Sequence, residues 1–167
     1  MAKTLATTMS LKIAATYEND AALNSTLGVL THVISDALAT GTAAEKADLF
    51  YAQRRTLAAT SEDLDLAGIL LDDYRAALTF VKIRGLLIHN RSTTTTENLA
   101  VGGAAATQFV NWVGNASDIV NVGPNGILFL WSPQDGYAVT AGTGDLLKID
   151  AGSDTIIYDI IVIGTSA

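Results

Sequence analysis

GPNGILFLWSPQDGYAVTAGTGDLLKIDAGSDTIIYDIIVIG, running from Gly123 to Gly164, reads as three strands cut by turns. Ile127 to Trp131 is an unbroken apolar run opened by the turn Gly123-Pro124-Asn125-Gly126. Leu146 to Ile149 follows the turn Ala141-Gly142-Thr143-Gly144-Asp145, and Thr155 to Ile163 closes the series, rich in β-branched residues. Short apolar runs between Gly, Pro, Asn and Asp clusters mark an all-β sandwich or barrel. No catalytic motif lies in this stretch.

The whole chain has 167 residues, the length of one domain with an appended arm. Charged residues make up 16%, where about 25% is usual for soluble domains, and hydrophobic residues reach 49%. No run approaches the roughly 18 apolar residues of a membrane helix. The apolar surplus is therefore expected in subunit interfaces. A net charge of −7 argues against nucleic acid, where Lys and Arg contacts to phosphate dominate, and against anionic membranes. The absence of cysteine excludes disulfides, thiolate metal sites and cysteine nucleophiles. Met1 to Thr8 has no apolar segment of signal-peptide length, so no export signal is expected. The sequons at Asn24, Asn90 and Asn115 are then chance matches.

Met9 to Tyr17 alternates, with Leu11, Ile13, Ala15 and Tyr17 on one side, as a strand or an extended arm would. Leu23, Leu27, Leu30, Ile34 and Leu38 recur at three- and four-residue steps, a helix period that Gly28 and the β-branched residues weaken. Helix and irregular strand both fit this segment. Thr42 and Glu45 have capping-box spacing before good helix formers, but the surrounding β pattern favours a strand from Leu49 to Leu57. Leu64 and Leu66 alternate with Asp63 and Asp65 as a half-buried strand.

Ala77 to Asn90 reads as a strand with Val81, Ile83, Gly85 and Leu87 on one apolar face. The other face mixes Phe80, Lys82, Arg84, Leu86 and Ile88. One dry and one amphipathic face suit the wall of a sandwich whose outer side meets a partner. Phe80, Lys82 and Arg84 are therefore candidate interface residues. On the last strand Ile156, Tyr158, Ile160 and Val162 oppose Ile157, Ile161 and Ile163. Both faces need cover and a two-layer sandwich covers one. Ile156, Tyr158, Ile160 and Val162, with Trp131, complete the expected subunit or capsid interface.

No constellation of residues assembles a chemistry. His32 and His89 stand apart without metal-ligand spacing, and no G-x-S-x-G elbow occurs. Gly142-Thr143-Gly144-Asp145 lacks the lysine of a phosphate loop. Asp145, Asp150, Asp154 and Asp159 could hold calcium, but without the pattern of a calcium loop they read as turn-capping residues. Glu62, Asp63 and Asp65 could serve as glycosidase carboxylates, yet they read as a solvated strand face. Trp112, Trp131, Tyr137 and Tyr158 could stack on sugars, though core or interface packing is the simpler use. Gln53-Arg54-Arg55 fits ion pairing with acidic neighbours. No catalytic, cofactor or metal residue is assigned, and an enzyme is not expected.

Certain phrases are familiar in this order: Ala47-Asp48-Leu49, Arg55-Thr56-Leu57-Ala58, Asp63-Leu64-Asp65-Leu66-Ala67-Gly68 and Leu78-Thr79-Phe80-Val81-Lys82-Ile83. Val101-Gly102-Gly103-Ala104, Gly136-Tyr137-Ala138-Val139-Thr140-Ala141-Gly142 and Tyr158-Asp159-Ile160-Ile161-Val162-Ile163-Gly164 follow. From Gly41 to the C-terminus the chain resembles a group of tailed-phage and prophage virion structural proteins. Its strand-rich pattern also resembles small β-sandwich head decoration (cement) proteins in fold type.

What the resemblance implies is a tailed-phage virion structural protein; the expectation built on it is a head decoration protein, made in the host cytoplasm, that binds the major capsid protein or other virion proteins as a homotrimer. Tail or fibre component and sugar-binding adhesin, the latter using Trp112, Trp131 and Tyr137, are its rivals. The expected architecture is all-β: an antiparallel, jelly-roll-like sandwich over residues 42–167. An arm or small helical element over residues 1–41 precedes it.

Overall fold

The structure, a computed structural model, describes residues 4–21, 24–103 and 107–167, with backbone alone at 19–21 and 24–26. Every regular element among these residues is a strand. β1 (Thr7–Ala21) and β2 (Asn24–Thr40) form a long antiparallel hairpin in unbroken register from Thr7↔Leu38 to Ala21↔Asn24. The helix period read over this segment gives way to a strand, and Leu23 lies outside the described residues. Gly28 and the valines and threonines of β2 cost a helix conformational freedom but suit a pleated ribbon. β3 (Lys46–Ala47) runs parallel to the end of β2. The capping-box spacing opens no helix: Glu45 takes a left-handed φ of 59° and donates its N–H to the Pro133 carbonyl at 2.8 Å.

β4 (Leu49–Ala58), β5 (Ser61–Asp65), β6 (Lys82–Asn90), β7 (Leu99–Gly102), β8 (Ile119–Val122) and β9 (Ile127–Trp131) follow. β10 (Tyr137–Ala138), β11 (Leu146–Asp150) and β12 (Thr155–Thr165) complete the chain. One sheet has the order β10-β6-β12-β4, with β9 also paired to β6; the other has the order β5-β11-β7-β8. All pairs in both sheets are antiparallel. The two sheets enclose the core as an antiparallel β-sandwich. The first contributes Tyr51, Leu57, Leu86, Ile88, Ile156, Tyr158, Ile160 and Val162, and the second Leu64, Leu99, Val101, Val122, Leu147 and Ile149.

The interface expected on the even positions of β12 is corrected here. Ile156, Tyr158, Ile160 and Val162 are fully buried between the sheets and unavailable to a partner. Asp159 shares the opposite face with Ile157, Ile161 and Ile163. A charge marks that face as the one nearer water. Phe80 also leaves the interface. The chain from Leu66 to Val81 folds over one end of the sandwich, and Phe80, 1% exposed, plugs the core there with Leu66, Leu70 and Leu78.

Arg84 is lost to the interface for a different reason. The register between β12 and β6 shifts, so that Ile163 faces Gly85 while Gly164 faces Ile83, leaving Arg84 as an unpaired bulge residue. A bulge reverses the in–out alternation beyond it. Leu86 and Ile88 therefore point into the core and Leu87 points out, opposite to an unbroken strand from Ala77. The Arg84 guanidinium is buried, donating to the carbonyls of Gln134 at 2.6 Å and Ala43 at 3.2 Å. It ties two loops together from inside. Lys82 and Trp131 alone of the expected set keep part of their surface.

Candidate docking face

Directly paired residues of a hairpin share a face, so the β1–β2 register sorts its side chains without ambiguity. Leu11, Ile13, Ala15 and Tyr17 stand with Ile34, His32, Leu30 and Gly28 on one side. Lys12, Thr16 and Glu18 stand with Val33, Val29 and Leu27 on the other. The first face carries no formal charge between Leu11 and Tyr17, yet Leu11, Ile13, Tyr17, Leu30 and Ile34 are all exposed, Tyr17 at 75%. Soluble chains leave single apolar residues in water freely, but a contiguous apolar face marks an interaction site.

Among the described residues the hairpin packs on the sandwich at its base. Leu38 is buried against Ala47 and Ile163, with Leu5, Trp131 and Ile161 packed beside them. The Trp131 indole Nε1–H donates to Asp36 Oδ2 at 2.8 Å, and the Thr40 hydroxyl donates to the Leu5 carbonyl at 2.6 Å. Trp131→Phe keeps the ring and removes the donor. Such a bond contributes about 1 kcal/mol. The variant should stay folded while the amides of β1 near Met9 exchange several-fold faster; unchanged exchange would show that the clamp does not hold the hairpin.

Beneath the hairpin lies the outer face of the five-stranded sheet, and the registers lay out its rows. Trp131, Gly85, Ile163 and Phe50 form one row, and Phe129, Leu87, Ile161 and Ala52 the next. Gly85 is required where it stands: a Cβ there would come within 2.9 Å of the Trp131 ring. The Phe129 and Trp131 rings stack at 6.2 Å between centroids. The hairpin base packs on Ile163 and Trp131 of the first row, with Ile161 of the second beside them, and leaves Phe50 exposed. Between Thr7–Leu11 of β1 and these two rows a groove of about 310 Å³ is left, lined by Gly85, Trp131 and Ile163 of the first and Phe129, Leu87 and Ile161 of the second, with Ile127, and by no charged residue.

The next row, Ile127, His89, Asp159 and Arg54, bounds the apolar band with charge. Asp159 accepts from Arg54 Nε at 2.7 Å and from Arg91 at 3.0 Å. The Arg54 bond, helped by Arg91, holds its carboxyl below the ordinary aspartate range.

A second cluster sits at the core edge between β4, β5 and β12. Arg55 Nε reaches both Glu62 oxygens at 2.9 Å and its Nη2 also meets Oε2. The Tyr158 hydroxyl donates to Glu62 Oε1 at 2.5 Å. Arg55 Nη1 donates to Gln53 Oε1 at 2.9 Å, which also accepts the Tyr51 hydroxyl. Burial pushes Glu62 up, but the bonds from Arg55 and Tyr158 outweigh it and hold the carboxyl below its usual value. Burial raises the Tyr158 hydroxyl, with Glu62 adding to it. The cluster opens on a cleft of about 270 Å³ with Asp63, Asp65 and Ile69. Glu62 is committed to a guanidinium and a phenol, and Asp65 caps the Ala67 amide at 2.9 Å. The arrangement braces two sheets and presents no free acid–base pair.

The remaining sequence candidates disperse. Arg54 and Arg55 both pair with acids, as the Gln53-Arg54-Arg55 reading has it. Asp145 accepts from Gly142 N and Asp150 from Gly152 N, the expected turn-capping use. Among the described residues no three acids or histidines gather as a metal site. Trp112 and Tyr137 pack against the core, Tyr158 lies inside it and Trp131 sits on the outer face, so the four aromatics share no sugar platform. The candidate docking residues that sequence reading did not assign are Phe129, Leu87 and Ile161. Ile161 carried a signal, its place two residues from Asp159 on one face of β12, while Phe129 and Leu87 join it only through the strand register. No model of a known family, no curated protein and no solved structure matches the chain.

Proposed function

We propose that this chain is a structural subunit of a tailed-phage virion, of the head-decoration kind, and that the β1–β2 hairpin is its attachment arm. One observation carries this reading: a hairpin fifteen residue pairs long holds an apolar face, from Leu11 to Tyr17, in water beyond the reach of its own core. A domain gains nothing from such a face alone; burying it on a partner returns roughly 25 cal/mol per Å². The setting rests on the resemblance drawn from the sequence phrases alone, and the jelly-roll-like winding and trimeric state belong to the same proposal. The acidic body stays solvated while the arm and outer face make contact.

Joining Leu11 to Ile34 by an Asn-Gly turn would remove residues 12–33 at a register pair, with a turn that suits a two-residue hairpin loop. The shortened protein should keep its sandwich and its melting temperature within a few degrees, and should be missing from purified particles that carry the full-length chain. Normal incorporation of the shortened chain would refute the arm. Absence of the full-length protein from particles would refute the virion setting.

A further inference from the structure

Resting on that reading of the chain as an assembling subunit, we infer that the groove under β1 is a strand-binding site filled by the hairpin of a second copy. β1 is the terminal strand of its sheet, so one of its edges has no strand partner among the described residues. Five consecutive residues, Thr7 to Leu11, line the groove, and both faces of β1 cannot line one side; the edge itself borders it. An extended segment entering there gains main-chain hydrogen bonds along β1 and side-chain contacts on Phe129, Leu87 and Ile161. This is recognition by strand addition.

Three observations select a second copy as the occupant. The molecule already shows the contact: the hairpin's own base lays Leu38 on Ile163, with Trp131 and Ile161 beside it, on residues that line the groove. The second row repeats that apolar chemistry one residue pair further along, and the hairpin face that would meet it continues from Leu38 through Ile34 and Leu30. Charge points the same way. At net −7 two copies repel over most of their surfaces, but the groove lining is uncharged and the hairpin face carries no formal charge from Leu11 to Tyr17.

The area is sufficient. The exposed parts of Leu11, Ile13, Tyr17, Leu30 and Ile34 amount to roughly 500 Å², against the ~800 Å² each partner gives a standard interface. Each copy supplies both a hairpin and a groove, so reciprocal seating of two hairpins buries on the order of 1,000 Å² or more in total, the threshold for a specific interface.

The absence of cysteine permits a test without background. Two single variants of the full chain, Leu30→Cys on the hairpin and Ile127→Cys at the groove, are purified separately, mixed and oxidised. A disulfide joining the two variants can only be intermolecular. It is expected in several-fold excess over either variant oxidised alone. In parallel, Phe129→Asp should reduce the scattering mass from an assembly to the 17.4 kDa of one chain while its circular dichroism stays that of the parent. A parent chain that is monomeric at high micromolar concentration, a Phe129→Asp variant that assembles normally, or no mixed disulfide would each overturn the inference. None of these readouts uses particles, so the virion reading fails or stands separately.

Discussion

Replacing Ile160 by alanine should destabilise the sandwich by about 3–4 kcal/mol, while the same change at Ile157, three residues away on one strand, should cost less than about 0.5 kcal/mol. Ile160 is fully buried between the sheets on β12, the strand that β6 and β4 flank. Removing its three outer carbons loses their transfer energy and leaves a cavity that two sheets in register cannot close. Ile157 is 44% exposed on the opposite face, where water replaces what the truncation removes. Urea unfolding at low protein concentration measures both. A change in midpoint at constant slope is expected for Ile160→Ala. Equal losses at the two positions would mean that the strand's inner and outer faces are not those described.

The second large effect concerns Glu62. Glu62→Gln keeps the shape but leaves the Arg55 guanidinium, half-buried beside Tyr51 and Tyr158, without its anion. Breaking a fully buried pair costs about 3–5 kcal/mol, and solvent at this core edge reduces the expectation to about 2 kcal/mol. The pH dependence follows from the direction of the shift. Glu62 titrates lower in the folded protein than in the unfolded chain. Its contribution is therefore fully present above the unfolded value of about 4.3 and is lost as pH falls through the lower folded value. Glu62→Gln should be distinctly less stable than the parent at neutral pH, and the gap should close below about pH 4. Thermal melting across that range measures it. A constant gap would show that loss of charge is not the cause.

Much of the architecture is legible in the sequence. Gly-, Asn- and Asp-rich turns between short β-branched runs are local signals, and β9, β11 and β12 lie where those signals put them. The ion-pairing use of Arg54 and Arg55 was also legible, because a sheet brings charges on neighbouring strands together in few ways. The first hairpin was half legible. The alternation Leu11, Ile13, Ala15, Tyr17 described β1 correctly. The helical spacing Leu27, Leu30, Ile34, Leu38 misled, because residues four apart share a face in a strand as well as in a helix. Leu30, Ile34 and Leu38 are on one face by either account, and Leu27, at odd spacing, is the residue that distinguishes them.

The candidate docking face was less legible, and the reasons are physical. A strand apolar on both sides, such as Ile156 to Ile163, states that both faces are covered and not which cover is its own core. Only the pairing partners decide that: β5, β11, β7 and β8 lie over the even positions, and the hairpin base over Ile163 with Ile161 at its side. The bulge at Arg84 is invisible to a period-two reading, yet it exchanges inside for outside along the rest of β6. By itself the sequence determined the strand class, the turn positions, the acidic and cysteine-free character and the surplus of apolar residues, since each is set by neighbours within a few positions. Tertiary structure decided where the surplus goes, on the free face of one hairpin and the open row beneath it, because that depends on register between strands as distant in sequence as Leu49 and Gly164.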